Sequence, residues 1–316
     1  MGKITGKSQK GQQVPEFTED EARAYFERLR WPTGPVCVHC GVAEPVPHRL
    51  NGEASRPGTF QCNACKGQFT VTVGSIMEDS HLPLATWAKA FHYMAAGKKG
   101  ISALQLQRQL GIGSYRTAWY LAHRIREAMR CEPMPAMLKG TVQVDETYIG
   151  ARKPRPGTGY HKRGRGTSKT PVMVLVEREG SAHSRVIDNA QGVNLKGAIR
   201  EIVDPSAAIH TDEFNAYTGI GKEFAGGHHT VNHSAGEYSR DGVNTNTAES
   251  FFALLKRGMV GSFHHVSKKH LHRYCNEFDF RWNGRQLTDV ERRDLAVKGA
   301  EGKRLSYKAP VGGASA

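Results

Sequence analysis

A mixed α/β chain in successive modules is what the sequence predicts, and three features predict it. Two Cys-x-x-Cys pairs lie early in the chain, a helical apolar period runs from Leu82 to about Met129, and beyond a proline-marked break short β-branched runs alternate with amphipathic helices. At 316 residues the chain is long enough for one sizeable core with one or two small modules beside it.

The chain carries 44 Lys plus Arg against 30 Asp plus Glu, a formal charge of +14. Such an excess favours a polyanionic partner, and nucleic acid is the first candidate. The opening Met-Gly-Lys-Ile-Thr-Gly-Lys-Ser-Gln-Lys has no apolar h-region, and no stretch approaches the length of a membrane span. A soluble, cytoplasmic protein with no membrane partner is the expectation.

Residues 1–30 read as a polar segment and a short helix, and residues 31–76 as a metal ribbon. Cys37 and Cys40 form one chelating pair, Cys62 and Cys65 the other, with a Gly, Pro and polar-rich segment between them. In a reducing compartment four thiolates at this spacing predict structural Zn2+ rather than disulfides. Gly41 and Gly67 are expected to supply backbone freedom beside the second thiolate of each pair. His39 and His48 read as surface residues, and the isolated Cys131 and Cys275 as packing residues.

Residues 82–131 read as helices. Leu84, Trp87, Phe91 and Met94 mark the first, and Ile101, Leu104, Leu106 and Leu110 the second. Gly111 and Gly113 turn the chain into a longer basic helix that Ser114 would cap. A short helix, a glycine turn and a basic helix fit a helix-turn-helix, with Tyr115 and Arg116 facing a DNA major groove, Tyr120 nearby, and Trp119 and Leu121 in the core. Pro133 and Pro135 then break the helix.

Residues 136–290 read as an α/β domain, followed by a tail over 291–316. A strand at about 141–149 carries Asp145; a basic, Gly/Pro-rich stretch from Ala151 to Thr170, including Arg163 and Arg165, reads as a solvated loop able to follow a phosphate backbone. Strands near 171–177 and 184–188, a helix over 194–203, a strand at 207–212 ending on Asp212, and a fifth near 228–232 follow. Three antiparallel strands, a helix, a parallel strand and flanking helices are the elements of a ribonuclease H-like domain.

In the next helix Asn246, Glu249, Ser250, Ala253, Lys256 and Arg257 share one face, while Phe251, Leu254 and Leu255 occupy the opposite one. Asp145, Asp212 and Glu249, gathered by such a fold, would repel one another unless cations sat between them. That predicts two Mg2+ ions, or Mn2+, clamping a phosphodiester. Lys256 and Arg257 would hold phosphates beside them. Glu146 and Glu213 adjoin the expected ligands but should turn to the opposite face. His228, His229, His264 and His265 lack ligand spacing.

Val-Asp-Glu-Thr-Tyr-Ile-Gly around Asp145, His-Thr-Asp-Glu-Phe around Asp212, Asn-Thr-Ala-Glu-Ser-Phe-Phe-Ala-Leu-Leu-Lys-Arg-Gly around Glu249, and His-Leu-His-Arg-Tyr-Cys-Asn-Glu-Phe-Asp-Phe-Arg-Trp-Asn ending at Asn283 resemble the ISXO2-like transposases of the IS1595 insertion-sequence family. The resemblance runs from near residue 31 to about Arg285. It implies a DDE transposase that cuts and joins double-stranded DNA at insertion-sequence ends, homo-oligomeric on DNA and associated with a bacterial nucleoid. Asp145, Asp212 and Glu249 then match the acidic triad and Lys256 the basic residue after it. Members of the family differ in whether the third ligand is Glu or Asn, and both Glu249 and Asn246 are present; Glu249 is preferred because a carboxylate binds a hard cation better than an amide does. The competing reading is a DNA-binding regulator with an inactive catalytic domain, and a third is a simple nuclease.

Overall fold

The computed structural model describes residues 14, 16–131, 136–150, 167, 169–232, 235–237 and 239–311, so Arg163 and Arg165 lie outside the described residues. The chain divides into two compact units. One comprises Met1–Gly97, Ala103–Ala128 and Leu287–Ser306; the other comprises Lys98–Ser102, Met129–Gln286 and Tyr307–Ala316.

The first unit begins with α1 (Glu19–Arg30), which starts at a reciprocal cap. Thr18 Oγ1 accepts the Glu21 N–H at 3.3 Å, and the Glu21 carboxylate accepts the Thr18 N–H at 2.8 Å. Three two-residue strands follow, β1 (His48–Arg49), β2 (Phe60–Gln61) and β3 (Gln68–Phe69), paired antiparallel in that order. Phe60 and Phe69 are register partners, and Trp31 meets both rings edge-on at 5.6 and 5.7 Å. This aromatic cluster gives a small ribbon the apolar centre that its short strands alone could not provide.

Three helices then appear close to their expected bounds: α2 (Leu84–Ala96), α3 (Ala103–Leu110) and α4 (Tyr115–Ala128). Gly111 takes the left-handed φ of +63° that the turn after α3 needs. Trp87, Phe91, Leu106, Leu121 and Ile125 are buried.

A further helix, α8 (Asp289–Lys298), belongs to this unit, packs on α1 and α2, and repeats the reciprocal cap with Thr288 and Glu291. Its Asp294 accepts the Tyr25 hydroxyl at 2.7 Å.

The second unit holds a five-stranded sheet: β4 (Thr141–Ile149), β5 (Thr170–Glu177), β6 (Ala182–Val186), β7 (Ala208–Asp212) and β8 (His228–Val231), in the spatial order β6-β5-β4-β7-β8. The β4–β5 and β5–β6 pairs are antiparallel; β4–β7 and β7–β8 are parallel. Helix α5 (Gly192–Ile202) makes the crossover from β6 to β7.

The six buried residues Pro171–Val176 explain why β5 reads as a continuous apolar run: both of its faces are covered. Met173 and Leu175 pack with Leu195, Ile199 and Ile202 of α5. Val172, Val174 and Val176 pack with Phe251, Phe252 and Leu255 of α6 (Asn246–Gly258) and with Cys275 and Phe278 of α7 (Leu271–Asn283). A Cβ added at Gly258 would stand 2.2 Å from Phe278 Cζ, so this glycine allows α6 to lie close against α7.

Helix α7 also closes the sheet edge. Asn283 accepts the Ala182 N–H at 2.7 Å and donates to the Ala182 carbonyl at 3.0 Å, while Asp279 accepts the Ser184 N–H at 2.9 Å. Polar groups that an edge strand would leave open are thereby paired. Among the described residues no helix is long and apolar enough to cross a membrane.

Candidate active site and metal centre

The pairing register decides which way the acidic residues of β4 and β7 face. Asp145 is the partner of Val174 and Gln143 of Val176, and both valines belong to the core beneath α6. Glu146 is the partner of Met173, which belongs to the core beneath α5. Because paired residues share a face, Asp145 looks toward α6 and Glu146 away from it. Glu146 there accepts the hydroxyl of fully buried Tyr217.

His210 pairs with Gln143, so His210 and then Asp212 also lie on the α6 side, Asp212 ending β7. The Asp212 carboxylate accepts the Phe214 N–H at 3.1 Å.

Helix α6 starts at Thr245, whose own side chain makes no capping bond. The cap comes instead from the strand beneath. Gln143 Oε1 accepts the N–H groups of Thr247 at 2.8 Å and Ala248 at 3.2 Å, and Gln143 Nε2 donates to Asn244 Oδ1 at 2.9 Å. Gln143 is fully buried, so these bonds satisfy helix-end donors that would otherwise be orphaned.

One side chain of β4 thus fixes the start of the helix that carries Glu249, two residues before Asp145 on the same strand face. Nothing in the sequence distinguishes Gln143 from an ordinary strand polar residue. Its meaning lies in partners more than a hundred positions away.

The electrostatics agree with this gathering. Burial foremost, then the charges of Glu146, Asp212 and Glu249, push the Asp145 pKa up to about 7, although the Glu146 N–H opposes them. Glu249 is exposed in the first turn of α6, where the helix dipole favours an anion. Asn246, Lys256 and Arg257 are exposed on the same helix. Lys256 lies 5.8 Å from the centre of the Phe252 ring, and Arg257 donates to the Ala253 carbonyl at 3.1 Å.

Among the described residues no trio of carboxylates closes to within 4.8 Å, a separation that the cysteines do reach. Carboxylates that share two ions about 3.5–4 Å apart have no need to close so far. Their hard oxygen donors and mutual repulsion fit divalent magnesium or manganese.

The four cysteine sulfurs lie within 4.8 Å of one another, with Cys37–Cys65 and Cys40–Cys62 at 3.7 Å. A tetrahedron of roughly 2.3 Å zinc–sulfur bonds has edges of about 3.8 Å, so the quartet already has the dimensions of a zinc site. The two chelating turns match: the Gly41 N–H bonds Cys37 O at 2.8 Å, and the Lys66 N–H bonds Cys62 O at 3.1 Å.

The glycines do different work from that expected of them as a pair. Gly41 has φ +73°, but the equivalent left-handed residue in the second turn is Lys66 at +60°. Gly67 instead provides space, since a Cβ there would stand 2.8 Å from His39 Cδ2 and 3.3 Å from Cys65 Sγ. His39 bonds the Gln68 carbonyl at 3.0 Å and His48 bonds Asn63 at 2.9 Å, so neither belongs to the quartet. The backbone N–H groups of Cys65 and Ala64 draw the Cys62 thiol down, while hydrogen bonds from the neighbouring thiols push Cys40 up, as expected of metal-free thiols in mutual contact that share their protons.

On α4, Tyr115 is 52% exposed and Arg116 is exposed. Tyr120 donates to the Leu305 carbonyl and Leu121 is buried, whereas Trp119, expected in the core, is only partly buried and meets the His123 ring edge-on at 4.3 Å. The helix is less basic at its surface than its sequence suggests. Arg124 and Arg126 are both buried, the former 5.1 Å from the centre of the Trp87 ring.

Residues 137–283 match the family model of the ISXO2-like transposase domain, and residues 17–68 match that of the transposase zinc-ribbon domain of the IS1595 family. The chain belongs to the ISXO2-like transposases of the IS1595 family. The transposase-domain match takes in Asp145, Asp212, Glu249 and all five strands of the sheet, and the zinc-ribbon match takes in all four cysteines. No curated protein matches the chain. A transposase-type function and a structural zinc ribbon follow from this membership.

Proposed function

We propose that this chain is a DDE transposase that binds insertion-sequence ends and performs metal-dependent strand cleavage and strand transfer on a ribonuclease H-like domain. The observation that carries the proposal is the common face of Asp145 and Asp212 on neighbouring parallel strands, with the Glu249 helix capped by Gln143 from that same face. Asp145, Asp212 and Glu249 hold two Mg2+ ions, with Asn246 as the alternative third ligand. When bound, these ions activate the attacking water and stabilise the leaving 3′-oxygen. Lys256 and Arg257, one and two residues past the buried Leu255, hold the phosphates of the strand being cut. The released 3′-hydroxyl then attacks target DNA in the same site, with no Ser or Tyr nucleophile.

Helices α2 to α4 serve as a helix-turn-helix that presents Tyr115 and Arg116 to the major groove, beside the zinc ribbon. The working partition is residues 31–76 for the ribbon, 82–131 for the helical reader and 136–290 for catalysis. The protein acts as a homo-oligomer on DNA.

The test is incubation of purified protein with plasmid carrying its own flanking DNA, with and without magnesium. Nicking at the ends and joined products are expected, and both should vanish in Asp145→Asn and Asp212→Asn while end binding remains. Cleavage retained by either variant would refute the assignment. Binding without any cleavage by the wild type would leave a DNA-binding regulator, and cutting without joining a nuclease.

A further inference from the structure

A polar cleft lies in the same unit, at the end of the sheet where β4 begins and β5 ends. It encloses about 620 Å³ and is lined by Arg178, His210, His228, His229 and Arg240, with Asp241 as the carboxylate on its rim. His210 and His229 are register partners on adjacent parallel strands, their rings 5.5 Å apart. His210 is only 7% exposed, yet its Nδ1 has no hydrogen-bond partner. Arg178 donates to the Gly242 carbonyl at 3.3 Å, and among the described residues no carboxylate comes within ion-pair distance of it. Arg240 donates to the Thr230 carbonyl at 3.0 Å and meets Glu237 at 3.4 Å.

Two groups of this cleft are left unanswered: a buried ring nitrogen without a partner, and an arginine whose charge meets no carboxylate among the described residues. An anion with several oxygens would answer both deficits, receiving charge-assisted bonds from the arginines and a ring contact from histidine.

Position narrows the class of anion. His210 and Asp212 lie on one face of β7, two residues and therefore roughly 7 Å apart along the strand. A nucleic-acid strand presents a phosphate about every 3.4 Å of helix axis, so its backbone could occupy the cleft a step or two from the carboxylates.

We propose that Arg178, His210, His229 and Arg240 form a phosphodiester-binding subsite that holds the DNA strand leading into the Asp145–Asp212–Glu249 cluster. This assignment rests on the DNA reading above and adds a place where the strand is gripped away from the chemistry.

The experiment uses the full zinc-loaded chain without divalent cations that support cleavage. Histidine ring signals are followed by NMR while inorganic phosphate is added, and separately a random-sequence duplex. Both probes should shift the His210 and His229 signals in the wild type and in Asp145→Asn. In a variant carrying Arg178→Ala and Arg240→Ala, duplex affinity should fall several-fold, and the salt slope of binding should flatten by about one to two. Thermal unfolding of that variant checks that it remains folded, and an Arg178→Lys variant, which keeps the charge, should recover part of the affinity.

Phosphate shifts without duplex shifts would reassign the cleft to a small free anion and overturn the DNA subsite. No shift with either probe, or an unchanged salt slope in the folded double variant, would overturn it outright. Loss of cleavage activity in the wild type would refute the proposed function but leave these binding readouts standing.

Discussion

Asp145 holds an uncomfortable position: a half-buried carboxylate facing two others, with its pKa pushed up to about 7. An unfolded aspartate titrates near 4, so between roughly pH 4 and 7 the folded state binds a proton that the unfolded state has released. Stability from this group is therefore greatest below about pH 4, declines as the pH rises, and levels off above about 7.

Replacing Asp145 with Asn should remove that decline. In metal-free protein the variant's advantage in melting temperature over wild type should grow from pH 5 to about pH 7 and then hold level to pH 8, each pH unit of the rise adding at most about 1.4 kcal/mol. Magnesium should stabilise the wild type more than the variant. A constant difference across that range would mean that the carboxylates are not crowded.

Gln143 is the second residue on which the site depends. Gln143→Leu keeps the side chain's bulk but deprives the Thr247 and Ala248 N–H groups of their acceptor. A loss of about 1–3 kcal/mol should appear in urea unfolding. Cleavage should fall more steeply than duplex binding, because Glu249 loses its fixed bearing on Asp145. Equal losses in both would make Gln143 a purely structural residue.

Among the elements, α7 shows what the long C-terminal motif accomplishes. Its Cys275 and Phe278 enter the core while Asp279 and Asn283 pair the outer edge of β6. Asn283→Ala should leave the Ala182 backbone unpaired, at a cost of about 1–3 kcal/mol, and should raise hydrogen exchange at Ala182 above that at the central strand β4. Unaltered exchange there would show that the edge is closed by other means.

Strands β4, β5 and β7 and the stripe of α6 are legible in the sequence because each carries a local signal, an apolar run or a helical period. What is not legible is non-local. The Gln143 cap spans 104 positions, and α8 carries its capping box in a segment whose sequence reads as a tail. The second zinc turn departs from expectation in one detail for the same reason: the sequence suggests two glycines in one role, whereas Lys66 takes the left-handed backbone and Gly67 makes room for His39.

At the scale of the whole molecule, metal and charge are the two dependencies. The native protein should carry one zinc per chain, and a strong chelator should release it and make four further thiols reactive. End recognition should weaken with that loss. If the four thiols react freely before chelation, the ribbon is held by packing of Trp31, Phe60 and Phe69 rather than by metal.

The pairing of β4 carries one last consequence. Gln143 and Asp145 point the same way because they are two apart on one strand, so a slip of a single residue would turn both toward α5 together. The anchoring of the helix and the aim of the carboxylate cannot fail separately. A chain that misthreads this strand loses the seat of α6 and the bearing of Asp145 in one stroke, so no species keeps one of the two without the other.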